Sequence, residues 1–273
     1  MIIAELCQNH KGNLTVLKEL VSEAAKAGAK FAKIQTFFAE DLAKSWRDRY
    51  EHYKELELNW ADHEKFVDYC ISEGITPMTS VYSTKYLDRL NQIGFRHIKI
   101  GSADSSNEHL IRFININGMK AYVSTGGKDL SDIPKGLRGV ECYFHCVSKY
   151  PGKYKESNLS RFIRMKEVFP NAKIGFSDHT DPEGEHALLP AMVASALGAG
   201  YIEKHFTVCC RSLTKDGPVS INPDQLKKLC QFHASPSDFK FATLPEIPAD
   251  MFNDTMSDEE KSIIKTYSGR WLV

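Results

Sequence analysis

The chain has 273 residues, 42% of them hydrophobic and 26% charged, with Lys plus Arg equal to Asp plus Glu at 35 each. This composition allows a sizeable core in one large domain or two small ones, and it excludes a global field that would recruit nucleic acid or an anionic membrane. No stretch nears the ~20 apolar residues of a membrane span, and the start Met1-Ile2-Ile3-Ala4-Glu5 lacks the regions of a signal peptide, so a cytoplasmic location is expected.

In chain order, short β-rich runs alternate with amphipathic segments. Strand character runs over Ile2 to Leu6, helical period over Leu14 to Ala27, and strand character again over Phe31 to Gln35. A long polar and aromatic insertion then precedes a helix at Asp62 to Glu73. The alternation continues through Thr76 to Ser80, Tyr86 to Ile93, His97 to Ile100, Glu108 to Asn117 and Ala121 to Ser124. After an ill-defined stretch at Leu130 to Leu137 come Val140 to Cys146, Leu159 to Val168, Lys173 to Phe176, His186 to Leu197, Tyr201 to Lys204 and Pro223 to Phe232. Gly28, Gly74, Gly94, Gly118 and Gly198 follow helices, where a left-handed cap turns the chain into the next strand. Eight β/α units in ~250 residues predict a TIM (β/α)8 barrel over residues 1–235, because a doubly wound sheet usually stops at five or six parallel strands. Residues 236–273 read as an extension, with Pro236, Pro245 and Pro248 before one short charged helix around Asp258 to Lys265. The seven cysteines lack paired C-x-x-C spacing and read as reduced thiols, the vicinal Cys209-Cys210 included.

In such a barrel the chemistry sits where the strands end. Strand one ends in Glu5, with Asn9 and His10 beyond it, and strand two carries Lys33 and Gln35 at alternate positions, hence on one face. The later strands end in Thr79 and Ser80; Lys99, Ser102 and Asp104; Ser124 and Thr125; His145, Ser148 and Tyr150; Ser177 and His179; Glu203 and His205. Two inward lysines flanked by hydroxyls predict a dianion pocket, hence a phosphorylated substrate. Either lysine alone would read as well as a solvated strand-end residue. His179 and His205 on consecutive strands, near Glu5 and Glu203, predict a divalent metal with open positions, where a lone histidine would be a satisfied core residue. Gly126-Gly127 is either an anion-binding turn or loop punctuation. The aromatic cluster Trp46, Tyr50, Tyr53 and Trp60 either lids the site or covers a helix face.

The motifs are Ile3-Ala4-Glu5 with Asn9-His10, Lys33-Ile34-Gln35-Thr36-Phe37, Lys99-Ile100-Gly101-Ser102, Ser124-Thr125-Gly126, His145-Cys146 with Tyr150-Pro151, Ser177-Asp178-His179-Thr180 and Glu203-Lys204-His205-Phe206-Thr207. In this order, from residue 2 to about residue 232, they resemble the sialic acid synthase family, the barrel of N-acetylneuraminate synthases and their legionaminate and pseudaminate relatives. The resemblance implies condensation of phosphoenolpyruvate with an open-chain 2-acetamido hexose such as N-acetylmannosamine, giving a nine-carbon 2-keto-3-deoxy acid and phosphate. It implies a divalent metal, Mn2+ or Mg2+, on His179 and His205. It places Lys33, Ser80, Lys99, Ser102, Ser124 and Ser177 around phosphoenolpyruvate, and Gln35, Asp104, Tyr150 and Asp216 on the sugar side. Glu5, Glu203 and His205 are the expected catalytic groups.

Three departures stand out. Asp104 replaces the family's more frequent Glu, and Lys215-Asp216-Gly217-Pro218 inverts the family's order of Gly-Pro and Asp. The chain also stops before the antifreeze-like domain that in the family reaches across a dimer to offer the partner's sugar an arginine. A homodimer, or a separate polypeptide completing the site, therefore remains open, and Arg47, Arg49 or Arg270 is the expected substitute arginine. The alternatives are an octulosonate or heptulosonate synthase acting on a phosphorylated aldose, and a non-catalytic sugar-binding paralogue.

Overall fold

The computed structural model describes residues 1–135, 137–235, 246–253 and 255–271. Eight parallel strands close in sequential order: β1 (Ile2–Glu5), β2 (Phe31–Gln35), β3 (Thr76–Val81), β4 (His97–Ile100), β5 (Lys120–Ser124), β6 (Val140–Cys146), β7 (Lys173–Asp178) and β8 (Tyr201–His205). Nine α-helices accompany them: α1 (Leu14–Ala27), α2 (Tyr50–Leu56), α3 (Trp60–Ser72), α4 (Leu87–Ile93), α5 (Glu108–Ile116), α6 (Leu159–Val168), α7 (Leu189–Ala196), α8 (Pro223–Ala234) and α9 (Asp258–Tyr267), counted among the described residues. The TIM barrel expected from the alternation is present. One spoke departs from regularity: β5 and β6 are joined by a single 3-10 turn at Leu130–Asp132, on the stretch that resisted a periodic reading, of which Gly136 lies outside the described residues.

Local chemistry sets the element ends. Asn13 caps α1 by accepting from the Thr15 and Val16 N–H groups, and Asn222 with Gln225 forms a reciprocal capping box on α8. All five glycines read as helix stops have positive φ. In the lower barrel Ile3, Phe31, Met78, Tyr122, Cys142, Phe144 and Tyr201 pack as one apolar plug. Two residues further along, the same inward face carries Glu5, Lys33, Ser80, Ser124, Cys146 and Glu203, so the period of two that builds the plug also builds the polar layer above it. The outward faces pack against the helices in a larger apolar shell.

Register fixes which polar groups meet. Glu5 pairs with Lys33 on one side and with His205 on the other, Ser80 pairs with Lys99, and Ser177 pairs with Glu203. The outward positions of β7 and β8 carry a fully buried ion pair, Lys204 Nζ to Asp178 Oδ2 at 3.0 Å, and the ammonium also donates to the Thr180 carbonyl at 2.8 Å. This pair fastens the turn that holds His179 without touching the barrel interior.

The arm after the barrel does not trail away. Its residues Ala249–Phe252 lie against α6, and α9 lies over the mouth beside the turn Ser102–Asp104. Glu260 Oε1 accepts from the Gly127 N–H at 3.0 Å and from the Ser148 N–H at 3.1 Å. Of the Gly126-Gly127 turn, the Gly127 N–H meets this carboxyl, whereas the Gly126 N–H donates to Ser102 Oγ at 3.0 Å. Gly127 has φ +65°, and a Cβ there would come within 2.3 Å of Ile264, so the seat of α9 requires glycine. Pro236, Pro245, Leu272 and Val273 lie outside the described residues. Among the described residues no helix is long and apolar enough to cross a membrane.

Candidate active site

At the centre of the polar layer two lysines and two glutamates form one buried network. Lys33 Nζ pairs with Glu5 Oε2 and with Glu203 Oε1, the latter at 3.2 Å, and donates to Ser80 Oγ at 3.2 Å. Lys99 Nζ pairs with Glu203 Oε2 at 2.7 Å and lies 4.2 Å from the centroid of the Phe144 ring. Ser177 Oγ donates to Glu203 Oε1 at 3.1 Å. Both lysines point inward and are only 3% and 2% exposed, which removes the solvated strand-end alternative. Glu5 and Glu203, expected beside the histidines, are engaged chiefly by the lysines.

Electrostatics divide the two carboxylates. Burial works to raise Glu203, but Lys33 and Lys99 hold it well below the ordinary carboxylate range. Glu5 shares Lys33 with it; burial, joined by repulsion from Glu203, pushes the Glu5 carboxyl up to about 7. Burial also opposes the Lys33 charge, yet the two glutamates hold the ammonium above its usual range, whereas Lys99 is lowered by its own burial. The network thus sets two buried cations against one carboxyl held low by both lysines, Glu203, and one pushed up by burial, Glu5.

The rim carries the other expected residues. Ser124 is buried on β5, and Ser102 Oγ accepts from the Gly126 N–H at 3.0 Å. Gln35 Nε2 donates to Cys7 Sγ at 2.8 Å. Asp216, in the loop after β8, accepts from the Gln8 N–H at 3.2 Å through Oδ2. Asp104 is half-buried; burial raises its carboxyl to about 6 against the opposing charges of Arg270 and Lys128. Tyr150 lies against the His179 ring with centroids 4.2 Å apart, and is itself 54% exposed to the mouth.

His179 and His205 do converge, with ring centroids 5.5 Å apart. His179 Nδ1 donates to the Val147 carbonyl at 2.7 Å, which leaves Nε2 as the ring's lone-pair nitrogen, 3.4 Å from Ser177 Oγ. Burial lowers His179 to about 4 and His205 well below its usual value, so both rings are neutral. No hydrogen bond is made to either ring nitrogen of His205 among the described residues. Neutral imidazoles with unengaged lone pairs fit a divalent ion. A second donor set shares His205: Cys7, His205 and Asp216 offer ligand atoms all within 4.8 Å of one another.

Three sequence readings change. His145 is not at the mouth: it faces outward between Cys142, Phe144 and Cys146 positions that face in, stacks on Phe176 and bonds the Ser157 carbonyl through Nε2 at 2.7 Å. His10 and Asn9 act structurally. His10 Nδ1 accepts the Gly12 N–H at 3.0 Å, and Asn9 Nδ2 ties the first loop to the Phe206 carbonyl and Ser220. The aromatic cluster divides, with Trp60 beside Phe38 and Tyr86 on the helix side. Tyr53 joins Phe37, Tyr82 and Trp271 over the mouth, and Trp46 stacks on Tyr267.

Arg270 sits inside this aromatic cap. Its guanidinium carbon lies 5.1 to 5.8 Å from the rings of Trp46, Tyr53, Tyr82, Tyr267 and Trp271, and Nη1 donates to Tyr53 Oη at 3.2 Å. It makes no ion pair among the described residues, and its Nε is buried without a partner. Arg47 and Arg49 are exposed, one donating to the Glu40 carbonyl and the other lying over Trp46. Of the three arginines singled out, the geometry brings Arg270 to the site. The arm that delivers it could not be read as part of the mouth, because its hydrogen bonds to the barrel join residues 92 or more positions apart in sequence.

Residues 20–235 match the NeuB family. An uncharacterized protein of Methanocaldococcus jannaschii is 33% identical over 235 residues, which cover 84% of this chain and 68% of that protein. An N,N'-diacetyllegionaminic acid synthase of Campylobacter jejuni is 31% identical over 254 residues, 84% of this chain and 74% of the relative. Among solved structures, an N-acetylneuraminic acid (sialic acid) synthetase of Leptospira borgpetersenii superposes with a TM-score of 0.78 at 25% identity, over 97% of this chain and 90% of the other.

Proposed function

Since this chain belongs to the NeuB family, a family of phosphoenolpyruvate-dependent synthases that form a C–C bond, we propose that it condenses phosphoenolpyruvate with an N-acetylmannosamine-like 2-acetamido hexose to give a nine-carbon 2-keto-3-deoxy acid and phosphate. The observation that carries this reading is the cage of Lys33, Lys99, Glu5 and Glu203 at the floor of a mouth rimmed by Gln35, Asp104, Tyr150 and Asp216. Lys33 and Lys99 hold the phosphate with Ser80, Ser102, Ser124 and Ser177 supplying hydroxyl donors, which together replace the anion's hydration shell. Fixed there, the enol carbon C3 faces the rim, where the aldehyde carbon of the open-chain sugar accepts the new bond. Water then adds to C2, and phosphate departs with its bridging oxygen's C–O bond broken. Glu5 takes or returns the proton that this water and the departing phosphate exchange, and Glu203 remains ionised to keep the lysines charged and in place. His179 and His205 would hold a divalent ion, Mn2+ or Mg2+, which supplies Lewis acidity to the aldehyde oxygen when bound. The same reading takes residues 1–235 as the catalytic barrel and 236–273 as an arm that completes it.

The test is a phosphate-release screen of 2-acetamido and 2,4-diacetamido hexoses with phosphoenolpyruvate and manganese. Turnover with one of these hexoses is the expected result. Turnover only with phosphorylated aldoses, or none with any sugar, would remove the reading.

The Glu5 carboxyl gives a pH dependence. Its folded pKa is raised to about 7 above an ordinary 4.5, so the stability it contributes is present below the ordinary range and is lost as pH rises to about 7. Phosphoenolpyruvate adds negative charge beside it, so binding is coupled to keeping that proton. From about pH 7 to 9 the KM for phosphoenolpyruvate should rise by up to about tenfold per pH unit, and Glu5→Gln should flatten the profile. A flat wild-type profile would show that Glu5 does not exchange its proton with the bound anion.

Arg270 should act on the sugar. A forked donor enclosed by aromatic rings suits acetamido and hydroxyl oxygens better than a point charge does. Arg270→Ala is expected to raise the sugar KM by about tenfold to a hundredfold, with the KM for phosphoenolpyruvate unchanged and Arg270→Lys only partly restored. An unmoved sugar KM would mean that the site is open on that side or is completed by another chain.

A further inference from the structure

The arm sends one charged side chain deep into the barrel's mouth. Among the described residues Glu260, 3% exposed, is the most deeply buried charged side chain of the arm. Its Oε1 bridges two loops, taking the Gly127 N–H at 3.0 Å after β5 and the Ser148 N–H at 3.1 Å after β6. Both loops carry residues that the proposed reaction uses. Gly127 follows Ser124-Thr125-Gly126, and Ser148 precedes Tyr150, whose ring lies against His179. The neighbouring Glu259 makes the contrast: it is 68% exposed, pairs with Lys149 at 2.9 Å, and contributes little. Burial works to raise the Glu260 carboxyl and the two N–H groups oppose it, so its desolvation is offset only where those donors are. From this seat the ten-residue α9 runs as a rod of about 15 Å. Gly269, at φ +72°, then turns the chain back; the Ala43 N–H donates to the Arg270 carbonyl at 2.9 Å, and Leu42 bridges Trp271. Arg270 therefore hangs between two anchors, the Glu260 seat at the first turn of α9 and a strand-like clip on the loop after β2.

We propose that Glu260 is a positioning residue for the second substrate: seated on the Gly127 and Ser148 N–H groups, it locks α9 over the mouth so that Arg270 and the aromatic cap of the same chain enclose the sugar. The proposal rests on the reading of Arg270 as a sugar ligand and assigns the residue that holds it there. Without the seat, two N–H groups lose their acceptor and α9 keeps its clip at one end only. The arginine then spends part of its time away from the sugar, and affinity falls by that fraction. Binding of phosphoenolpyruvate is spared, because Lys33 and Lys99 are held by Glu5, Glu203 and Ser80 and make no bond to the arm among the described residues. The hydrogen-bond acceptor carries the seat, so a glutamine oxygen serves in place of the carboxylate.

The experiment pairs hydrogen exchange of the full chain with initial rates at varied sugar. In Glu260→Ala, exchange of the α9 amides and of the Gly127 and Ser148 N–H groups should quicken at least about tenfold, while β2 and β8 keep wild-type protection. The sugar KM should rise about tenfold or more, with kcat and the KM for phosphoenolpyruvate unchanged. Adding Arg270→Ala to Glu260→Ala should be no worse than Arg270→Ala alone, since both remove one interaction. Glu260→Gln should bring exchange and sugar KM back near wild type. Gly127→Ala attacks the seat from the barrel side, because its Cβ would meet Ile264, and should reproduce the Glu260→Ala pattern if that variant folds poorly. Unchanged exchange in Glu260→Ala, a loosened arm with an unmoved sugar KM, or additive losses in the double variant overturn the proposal. So does Glu260→Gln behaving as Glu260→Ala, which would make Glu260 only a negative charge at the start of α9. A wild-type chain that turns over no hexose removes the sugar reading and the sugar role together, while exchange, measured without sugar, still decides whether Glu260 seats the arm.

Discussion

Lys99→Met should lower kcat/KM for phosphoenolpyruvate by at least about thirtyfold, equivalent to ~2 kcal/mol, and leave the KM for the sugar nearly unchanged. Methionine keeps the length of the side chain and its packing over the Phe144 ring, so the loss is that of the charge. Glu203 still has Lys33 at 3.2 Å in this variant, and the fold should tolerate the change. Lys33→Met is harsher. Lys33 bridges both glutamates, and without it Glu5 takes up its proton near neutral pH, so a loss of about 1–3 kcal/mol in urea unfolding, growing as pH rises, should accompany the kinetic loss. Should both variants keep the wild-type dependence on phosphoenolpyruvate, the anion is held elsewhere.

The second large effect concerns the histidines. His205→Ala should reduce turnover by on the order of a thousandfold, since an electrophile at the aldehyde oxygen is worth several kcal/mol and none of the neighbouring neutral hydroxyls matches it. The fold should survive, because no hydrogen bond to the His205 ring is lost among the described residues. His179→Ala should lose comparable activity and about 1 kcal/mol more stability, the contribution of its hydrogen bond to the Val147 carbonyl. The wild-type protein in chelator should resemble the variants and recover on adding manganese. Full turnover by either variant in the presence of chelator would end the metal reading.

The barrel was legible because both of its periods are strong. Alternation along Phe31–Gln35 and Tyr201–His205 marks which residues face in, and glycine stops such as Gly28 and Gly94 mark where helices yield to strands. The same alternation, applied to β6, would have turned His145 outward, since Phe144 and Cys146 occupy the inward phase. The β5–β6 connection had no helical period to read, and it has no α-helix. What sequence cannot supply is the meeting of loops. Cys7 with Asp216, and Glu260 with the Gly127 and Ser148 N–H groups, depend on the closure of the whole barrel rather than on any local pattern.

The aromatic cap has a practical corollary in spectroscopy. Of the chain's three tryptophans, Trp46 and Trp271 belong to the cap, and Trp60 lies on the neighbouring helix against Tyr86. Intrinsic emission is therefore weighted toward the entrance of the barrel, and the Trp46 and Trp271 indoles each lie within 5.8 Å of the Arg270 charge. A sugar that engages this guanidinium changes the field on two of the three fluorophores at once, so the protein carries its own optical probe of occupancy. The same location makes tryptophan emission a poor gauge of global unfolding, because release of the arm alone would mimic much of the signal.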